Sequence, residues 1–548
     1  MLSMIAMHPL SALALLTATC ALQAADPTVG LIHSSPNAAS GYTLFSPMAA
    51  TDTFLIRNTG ELVNRWRSPY PPGSTPYLLE NGNLVRAGNP NDNNTFLIPG
   101  GAGLIQKFDW QGNILWEYRI WDATQRAHHE IRPLPNGNIL AVVWELKTAE
   151  EAVTAGRNPA MLSENSLWPE KIVELQPSST NAATIVWEWH VWDHLVQDLD
   201  PTKTNYGDVA THPELIDINY LAPATPLGER ADWLHCNGID YNPHLDQILL
   251  CMPGFGEIWI IDHSTTTAEA ASHAGGRSGK GGDLLYRWGN PAAYRSATPD
   301  QQTFFWQHAS HWITNDRPGA GNILVFNNGN GRPDPLSEGN WSAVIEIQPP
   351  VQPDGTYTLN PDGTYPPLLP TWSYSATPRT SLYGDVMSSA DRLPNGNTLI
   401  NIGRPNVMFE IAPDSNEVWR YVNPVGSSGA VNQGEPRPND NWVFRAMHYP
   451  SSHPALQNQN LLSLGTIEGT PDQVFEVQHL VRDPEVHLIS WSSTPDATYT
   501  INYSPTLQPA EWTQIGEAKA LGRITHFYDT DPLRVMGPNG YYRLEQQP

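Results

Sequence analysis

Six tryptophans set at long intervals constrain this chain more than any other feature. Trp66, Trp116, Trp187, Trp288, Trp372 and Trp419 each end or interrupt a short run of apolar and aromatic residues. The five intervals between the first and the last span 353 residues, about 70 each, which suits a four-stranded unit carrying long loops. Some runs are near copies: Trp116-Glu117-Tyr118-Arg119-Ile120-Trp121-Asp122 matches Trp187-Glu188-Trp189-His190-Val191-Trp192-Asp193. Repetition at such a period marks units that bury their faces against neighbours, never alone.

Turn signals follow the same beat. They are Asn81-Gly82-Asn83-Leu84, Asn136-Gly137-Asn138-Ile139, Gly321-Asn322-Ile323, Asn395-Gly396-Asn397-Thr398 and Asn458-Gln459-Asn460-Leu461, with a further hairpin over Asn242 to Leu249. Asn and Gly accept the positive φ that tight hairpin turns demand. Each turn therefore predicts a second strand behind it, such as Ile139 to Trp144 or Ile323 to Asn327. The resulting expectation is an all-β chain with a six-bladed β-propeller over residues 26–480. Fifty Pro, 42 Gly and 20 Trp against 16% charged residues agree with many short strands joined by turns.

The ends of the chain differ in texture. Leu10 to Ala21 is an apolar run followed by small residues at Ala24 and Ala25, which predicts a signal peptide over residues 1–25 and a periplasmic or secreted protein. No basic residue precedes the run, the first being Arg57, and a buried N-terminal helix is the competing reading. Thr17, Ala18 and Thr19 before Cys20 do not make a lipoprotein signal. No other apolar run reaches membrane-spanning length, so no membrane span is expected. From residue 481 to 548, short alternating strands (Leu488 to Trp491, Tyr499 to Tyr503, Trp512 to Ile515, Tyr541 to Leu544) resemble a fibronectin- or immunoglobulin-like β-sandwich with a structural or carbohydrate-contacting role.

Charge narrows the partners. A formal net charge of −25, from 55 acidic and 30 basic residues, repels nucleic acid and anionic leaflets. Anionic small substrates are repelled as well, so any sulfate or phosphate chemistry depends on a few positive groups inside a pocket.

In a propeller the inner strands converge on one axis, and these strands lie just upstream of the turns. They carry Thr75-Pro76-Tyr77, His128-His129-Glu130, His235-Cys236-Asn237, Gln307-His308-Ala309-Ser310-His311, Met387-Ser388-Ser389 and Arg445-Ala446-Met447-His448. Four of the six present histidine. Cys236 and Cys251 fall on two strands of one predicted hairpin, where they either pair as a disulfide or are buried separately. Gly275-Gly276-Arg277-Ser278-Gly279-Lys280-Gly281 lacks the first Gly and the final Ser or Thr of a phosphate loop and reads as a flexible loop. His128-His129-Glu130 lacks zinc spacing and the cysteines are too few for a knuckle, so neither metal nor cofactor is expected.

The segments Asp232-Trp233-Leu234-His235-Cys236-Asn237-Gly238-Ile239-Asp240-Tyr241, Trp306-Gln307-His308 and Phe326-Asn327-Asn328-Gly329-Asn330-Gly331-Arg332 resemble the core of the bacterial aryl-sulfate sulfotransferase family. So do the turns Leu134-Pro135-Asn136-Gly137-Asn138 and Leu393-Pro394-Asn395-Gly396-Asn397, and the similarity runs from about Thr51 to Leu464. The resemblance implies transfer of a sulfuryl group from a phenolic sulfate to another phenol by a ping-pong route through a sulfated histidine, without an adenylyl-sulfate donor. It implies His235 and His308 as transition-state or leaving-group contacts and Arg332 as the sulfate-binding cation. The nucleophilic histidine the family would place in Tyr383 to Arg392 is absent, which leaves His129 and His448 as candidates. Two other readings compete: a glycan- or peptide-binding propeller without catalysis, and a quinoprotein-like oxidoreductase, a class that usually needs eight blades. Oligomeric state is not legible.

Overall fold

The tryptophan period corresponds to six antiparallel sheets in a computed structural model of the chain, described over residues 26–547 except 93–94, 97, 223–229, 335–336, 470–474, 484, 508–509 and 538–539. The expected signal peptide lies outside the described residues. The second sheet runs Pro72–Leu78, Leu84–Gly88, Leu104–Phe108, Ile114–Arg119, and the third Gln125–Pro133, Ile139–Glu145, Glu170–Ser179, Ala182–His190. The fourth runs Gly238–Asn242, Gln247–Met252, Glu257–Asp262, Tyr286–Trp288; the fifth His308–Trp312, Ile323–Asn327, Ala343–Ile347, Trp372–Tyr374. The sixth runs Ser389–Arg392, Thr398–Ile402, Val407–Ile411, Glu417–Val422, with Gly30–Ser34 added at its outer edge. The fold is all-β and β-propeller-like.

One expected hairpin is corrected. No strand follows Asn458 to Leu461; the chain turns away through Pro454–Leu456 instead. Val443–Pro450 pairs with Gly41–Pro47, His448 opposite Thr43, and Asp52–Arg57 and Leu62–Arg67 complete the first sheet. That sheet thus joins strands about 400 residues apart, a pairing that no local turn signal could announce. The first strand of each of sheets two to six touches the next, and Val443–Pro450 touches both Ser389–Arg392 and Pro72–Leu78.

All six periodic tryptophans stand on the fourth strand of their sheets, and their indoles reach the sheet that follows. Trp66 Nε1 donates to the Asp109 carbonyl at 2.8 Å, Trp116 to Ala182 at 3.0 Å, and Trp288 to Pro367 at 2.7 Å. Trp187 donates to Thr265 Oγ1 at 3.2 Å. Trp419 of the sixth sheet donates to the Asn58 carbonyl of the first at 2.8 Å, and Trp372 lies under the Arg392 guanidinium at 4.4 Å. Their apolar bodies fill the gaps between sheets, and in five of the six the one polar atom is satisfied by the neighbour, which is why the residue recurs.

The tail forms two three-stranded sheets, Val477–Arg482, His487–Ser492, Ile524–Asp529 and Thr513–Lys519, Thr498–Ser504, Tyr541–Gln546. Ile489, Trp491, Tyr499 and Ile501 bury one shared core between them. Leu464 accepts from the Ile524 amide, and Arg65 and Arg67 reach both Asp52 and Asp496, so the tail is tied to the first sheet. Cys236 and Cys251 are free thiols in the core, donating to the Gly238 and Gln307 carbonyls. Of the two arrangements open to them, the structure takes separate burial. Among the described residues no helix is long and apolar enough to cross a membrane.

Candidate functional site

The innermost strands of sheets three to six are irregular within the strand or just ahead of it. His129 has φ 48°, His235 55°, Trp306 57°, Ala309 56°, Met387 54° and Ser388 81°. A left-handed backbone costs a residue with a Cβ about 1–2 kcal/mol, and six such residues in or just ahead of four neighbouring strands make a strained cluster of the kind that collects at functional sites. Strand pairing breaks at the same places, between Ala141 and Val143 opposite His128 to Glu130, and between His308 and His311. These irregularities turn imidazoles inward. Gly100 makes room: its own φ is 95°, its carbonyl accepts the His129 amide at 2.7 Å, and a Cβ there would stand 2.0 Å from the His129 ring.

The rings form one continuous group. His129 meets His235 edge-on with centroids 4.4 Å apart, and Trp306 stacks on His235 at 5.1 Å. Phe444, from the first sheet, lies 6.1 Å from both His129 and His308. His128 stacks flat on Trp144 at 3.8 Å, and its Nδ1 is 2.8 Å from His129 Nδ1, so one of these two nitrogens donates to the other.

Two histidines are held in contrasting ways. His308 Nδ1 donates to Asn328 Oδ1 at 2.8 Å while its Nε2 accepts the Met387 amide at 3.2 Å, so both nitrogens are occupied. His235 Nδ1 is hydrogen-bonded to Asp232 Oδ2, and Trp144 Nε1 donates to the other carboxylate oxygen at 2.9 Å. Among the described residues no hydrogen bond engages His235 Nε2. A buried carboxylate on one ring nitrogen fixes the tautomer and directs the other lone pair outward.

Burial sets the charge of the group. It pushes His128 and His129 well below the ordinary imidazole range, with His235 adding to both, and pushes His308 down to about 4 against the upward pull of Asn328. These rings are neutral at pH 7. Behind them, burial and then the charge of Asp232 push Glu170 well above the carboxylate range, while its Oε1 accepts the Cys236 amide at 2.8 Å.

A model of the family described as Arylsulfotransferase (ASST) matches residues 80–423. The chain belongs to the arylsulfotransferase family. Membership carries aryl sulfotransferase-type activity in general, with small aryl molecules as substrates. No curated protein matches. Solved structures similar to the chain include hydrazine synthase of Kuenenia stuttgartiensis (13% identity over 58% of this chain and 71% of that one, TM-score 0.30). They also include the periplasmic gluconolactonase of Pseudomonas aeruginosa (6%, 90% and 99%, TM-score 0.35) and a regucalcin of Agrobacterium tumefaciens (9%, 76% and 98%, TM-score 0.29). Likenesses at these scores bear on neither the fold nor the chemistry of this arylsulfotransferase.

The five expected site residues separate into two sets. His129, His235 and His308 come together. His448 lies elsewhere on the inner strand of the first sheet, where its electrostatic neighbours are Asp391 and Arg317. Arg332 faces a cleft of about 470 Å³ whose walls include Phe305, Trp341, Tyr374 and Arg379, with Asp300 among the lining residues. Its guanidinium lies 3.7 Å from the Trp341 ring centroid and donates to the Trp341 carbonyl at 2.9 Å. Burial, then Arg379, pushes it down to about 10. Sequence reasoning did not single out Asp232, Trp306, Asn328 or Phe444. Asp232 was signalled by its place three residues before His235 in the family-like segment, and Trp306 by its place two before His308; Phe444 had no signal.

His448 supplies a pH test of burial. Burial pushes it down to about 4, so above pH 6.5 it is neutral in both states. Below that the unfolded chain takes up a proton the folded one refuses, and stability is lost as pH falls towards 4. Between pH 7 and 5 the wild type is expected to lose about 2 kcal/mol more than His448→Gln. Parallel slopes in urea unfolding would contradict this.

Proposed function

We propose that this arylsulfotransferase moves a sulfuryl group from an aryl sulfate ester to a phenolic acceptor through His235, at the axis of a closed six-bladed propeller that carries a C-terminal β-sandwich and works in the periplasm or outside the cell. The observation that carries the reading is the Asp232–His235 pair set beside the neutral imidazoles of His129 and His308. With the proton on Nδ1 held by Asp232, the Nε2 lone pair attacks sulfur, the S–O bond to the aryl group breaks, and the phenolate departs. When His128 donates in the His128–His129 pair, His129 carries its own proton on Nε2 and can donate a hydrogen bond, without giving up the proton, to the departing phenolate oxygen. In the second half, the acceptor oxygen attacks the same sulfur, the S–N bond breaks, and the acceptor's proton passes to a neutral imidazole and on to solvent, where the departed phenolate is protonated. Splitting the displacement into two steps is the gain from a nucleophile, and donors fixed beforehand stabilise the charge that develops. Trp306 and Phe444 provide apolar faces suited to a phenyl ring.

His235 thereby takes the role of the histidine missing from Tyr383 to Arg392. The double hold on His308 suits it to positioning. Near it Asp385 is bound by Arg404, Nε to Oδ1 at 2.9 Å. Arg332 instead suits capture of the anionic donor in its cleft, against the repulsion of a chain with net charge −25.

The test is release of nitrophenol from p-nitrophenyl sulfate with and without a second phenol. Acceptor-dependent release with parallel ping-pong lines supports transfer; no release with any phenol would overturn it. Arg332→Ala is expected to raise KM for the sulfate about tenfold and leave kcat within about twofold. A fall in kcat at unchanged KM would put the guanidinium in the transition state.

A further inference from the structure

Away from the imidazole group, two histidines and an aspartate converge where the third and fourth sheets meet. His194 follows the outer strand of the third sheet, while His273 and Asp283 bracket the glycine-rich connection ahead of Tyr286–Trp288 in the fourth. Asp283 Oδ1 lies 2.8 Å from His194 Nδ1 and 2.7 Å from His273 Nδ1. The three groups could together hold one ion.

The hydrogen bonding of His194 makes this more than a polar cluster. Its Nε2 is 2.8 Å from the Ala270 carbonyl, an acceptor only, so that nitrogen carries the proton. In a neutral ring the remaining lone pair, on Nδ1, then points at a carboxylate oxygen. The ring is fully buried, so water does not separate the two. His273 can offer a proton to Asp283 but none to His194. Only a proton shared between the two groups or a cation between them resolves this contact. A carbonyl on the far nitrogen is the usual brace of a metal-bound imidazole.

The surroundings hold His194 in place. Trp189 stacks on it nearly parallel, 7° at 5.6 Å, and donates its own Nε1 to the Gly282 carbonyl at 2.7 Å. A Cβ on Gly282 would stand 2.0 Å from the Ala270 carbonyl and 2.5 Å from His194 Nε2, so the loop closes on the ring only through glycine. His273, by contrast, is 62% exposed at its side chain and free to adjust. Bonds of about 2.0–2.1 Å to tetrahedral zinc set ligands about 3.4 Å apart, so the Asp283 carboxylate must draw back from His194 Nδ1, now 2.8 Å away, while the exposed His273 swings outward.

We propose that His194 Nδ1, His273 Nδ1 and Asp283 form a structural site for a divalent transition metal of the zinc type, clamping the connection over residues 263–283 onto the third sheet. Nitrogen donors disfavour calcium and magnesium, and two imidazoles with one carboxylate leave a fourth position for water. The loop that resembles a failed phosphate loop, Gly275 to Gly281, then has a purpose: it lets the chain turn back to place Asp283 beside both rings. The residue pattern hid the site because its ligands are far apart in sequence.

The full-length protein, stripped with a chelator and dialysed, is titrated with Zn²⁺ by calorimetry and with Co²⁺ by visible absorption, and its Tm is followed throughout. One equivalent binding at micromolar concentration or tighter, a Co²⁺ band of tetrahedral or five-coordinate intensity, and a rise in Tm are expected. His273→Ala, at an exposed position, is expected to weaken binding at least about tenfold and to keep the metal-free Tm. Asp283→Asn should abolish the Co²⁺ band. Wild-type binding no tighter than that of His273→Ala, or a Tm that zinc does not move, would overturn the site and leave a protonated His194–Asp283 pair.

Discussion

His235→Ala is expected to slow release of nitrophenol from p-nitrophenyl sulfate at least about a thousandfold, because the lone pair that attacks sulfur is removed outright. Asp232→Asn is the more discriminating change. The amide keeps the shape and can still touch Trp144 Nε1 and His235 Nδ1. It loses the charge that fixes the proton on Nδ1, and a loss of about a hundred- to ten-thousandfold in kcat is expected. His129→Ala should fall between the two, since its ring is 4.4 Å from His235 and bears on the leaving oxygen. His448→Gln serves as the control with kcat unchanged, although notions of nucleophilicity from sequence placed His448 beside His129. A His235→Ala enzyme that retains more than about a tenth of wild-type kcat would show the nucleophile to be another group.

Trp419→Ala carries the second large effect. Trp419 is almost wholly buried, and its indole crosses from the last sheet to the first to reach the Asn58 carbonyl. If the six sheets close into a ring, this contact equals its counterparts at Trp66 and Trp116 in kind, and each truncation should cost about 3–5 kcal/mol. If the ring were instead open between the first and last sheets, Trp419 would be exposed and Trp419→Ala would cost under about 1 kcal/mol, as expected of a surface change, while Trp116→Ala kept its full cost. Urea unfolding of the three variants side by side decides between the two. A shared loss also predicts damage to the site, because Phe444 is carried by the strand that the first sheet closes upon.

What could be read in the chain beforehand follows from how local its signals are. The six tryptophans and five of the six hairpins were legible because each is decided within a few residues, by an indole that must be buried or an Asn-Gly turn that accepts positive φ. The sixth hairpin misled: Asn458 to Leu461 has the right residues, but Val443–Pro450 found a partner, Gly41–Pro47, near the other end of the chain. In the tail, Leu488 to Trp491 and Tyr499 to Tyr503 were readable from alternation, whereas Val477–Arg482 and Ile524–Asp529 were not singled out. Within the site, three of five residues came together because convergence of inner strands follows from the repeat. Arg332 did not, because it lies in the connection after Ile323–Asn327 and not on an inner strand, and His448 did not, because it stands four residues beyond Phe444 along the same inner strand. Net charge likewise says nothing of His308, which burial chiefly, and then His235, keeps neutral.

The most direct measurement is mass spectrometry of the protein quenched with an aryl sulfate in excess and no acceptor phenol present, followed by peptide mapping. The account predicts one added sulfuryl group on the peptide containing His235, at Nε2, formed as fast as the first nitrophenol appears and discharged when a phenol is supplied. Turnover without any adduct, or an adduct on a different residue that reacts at the full catalytic rate, would contradict it.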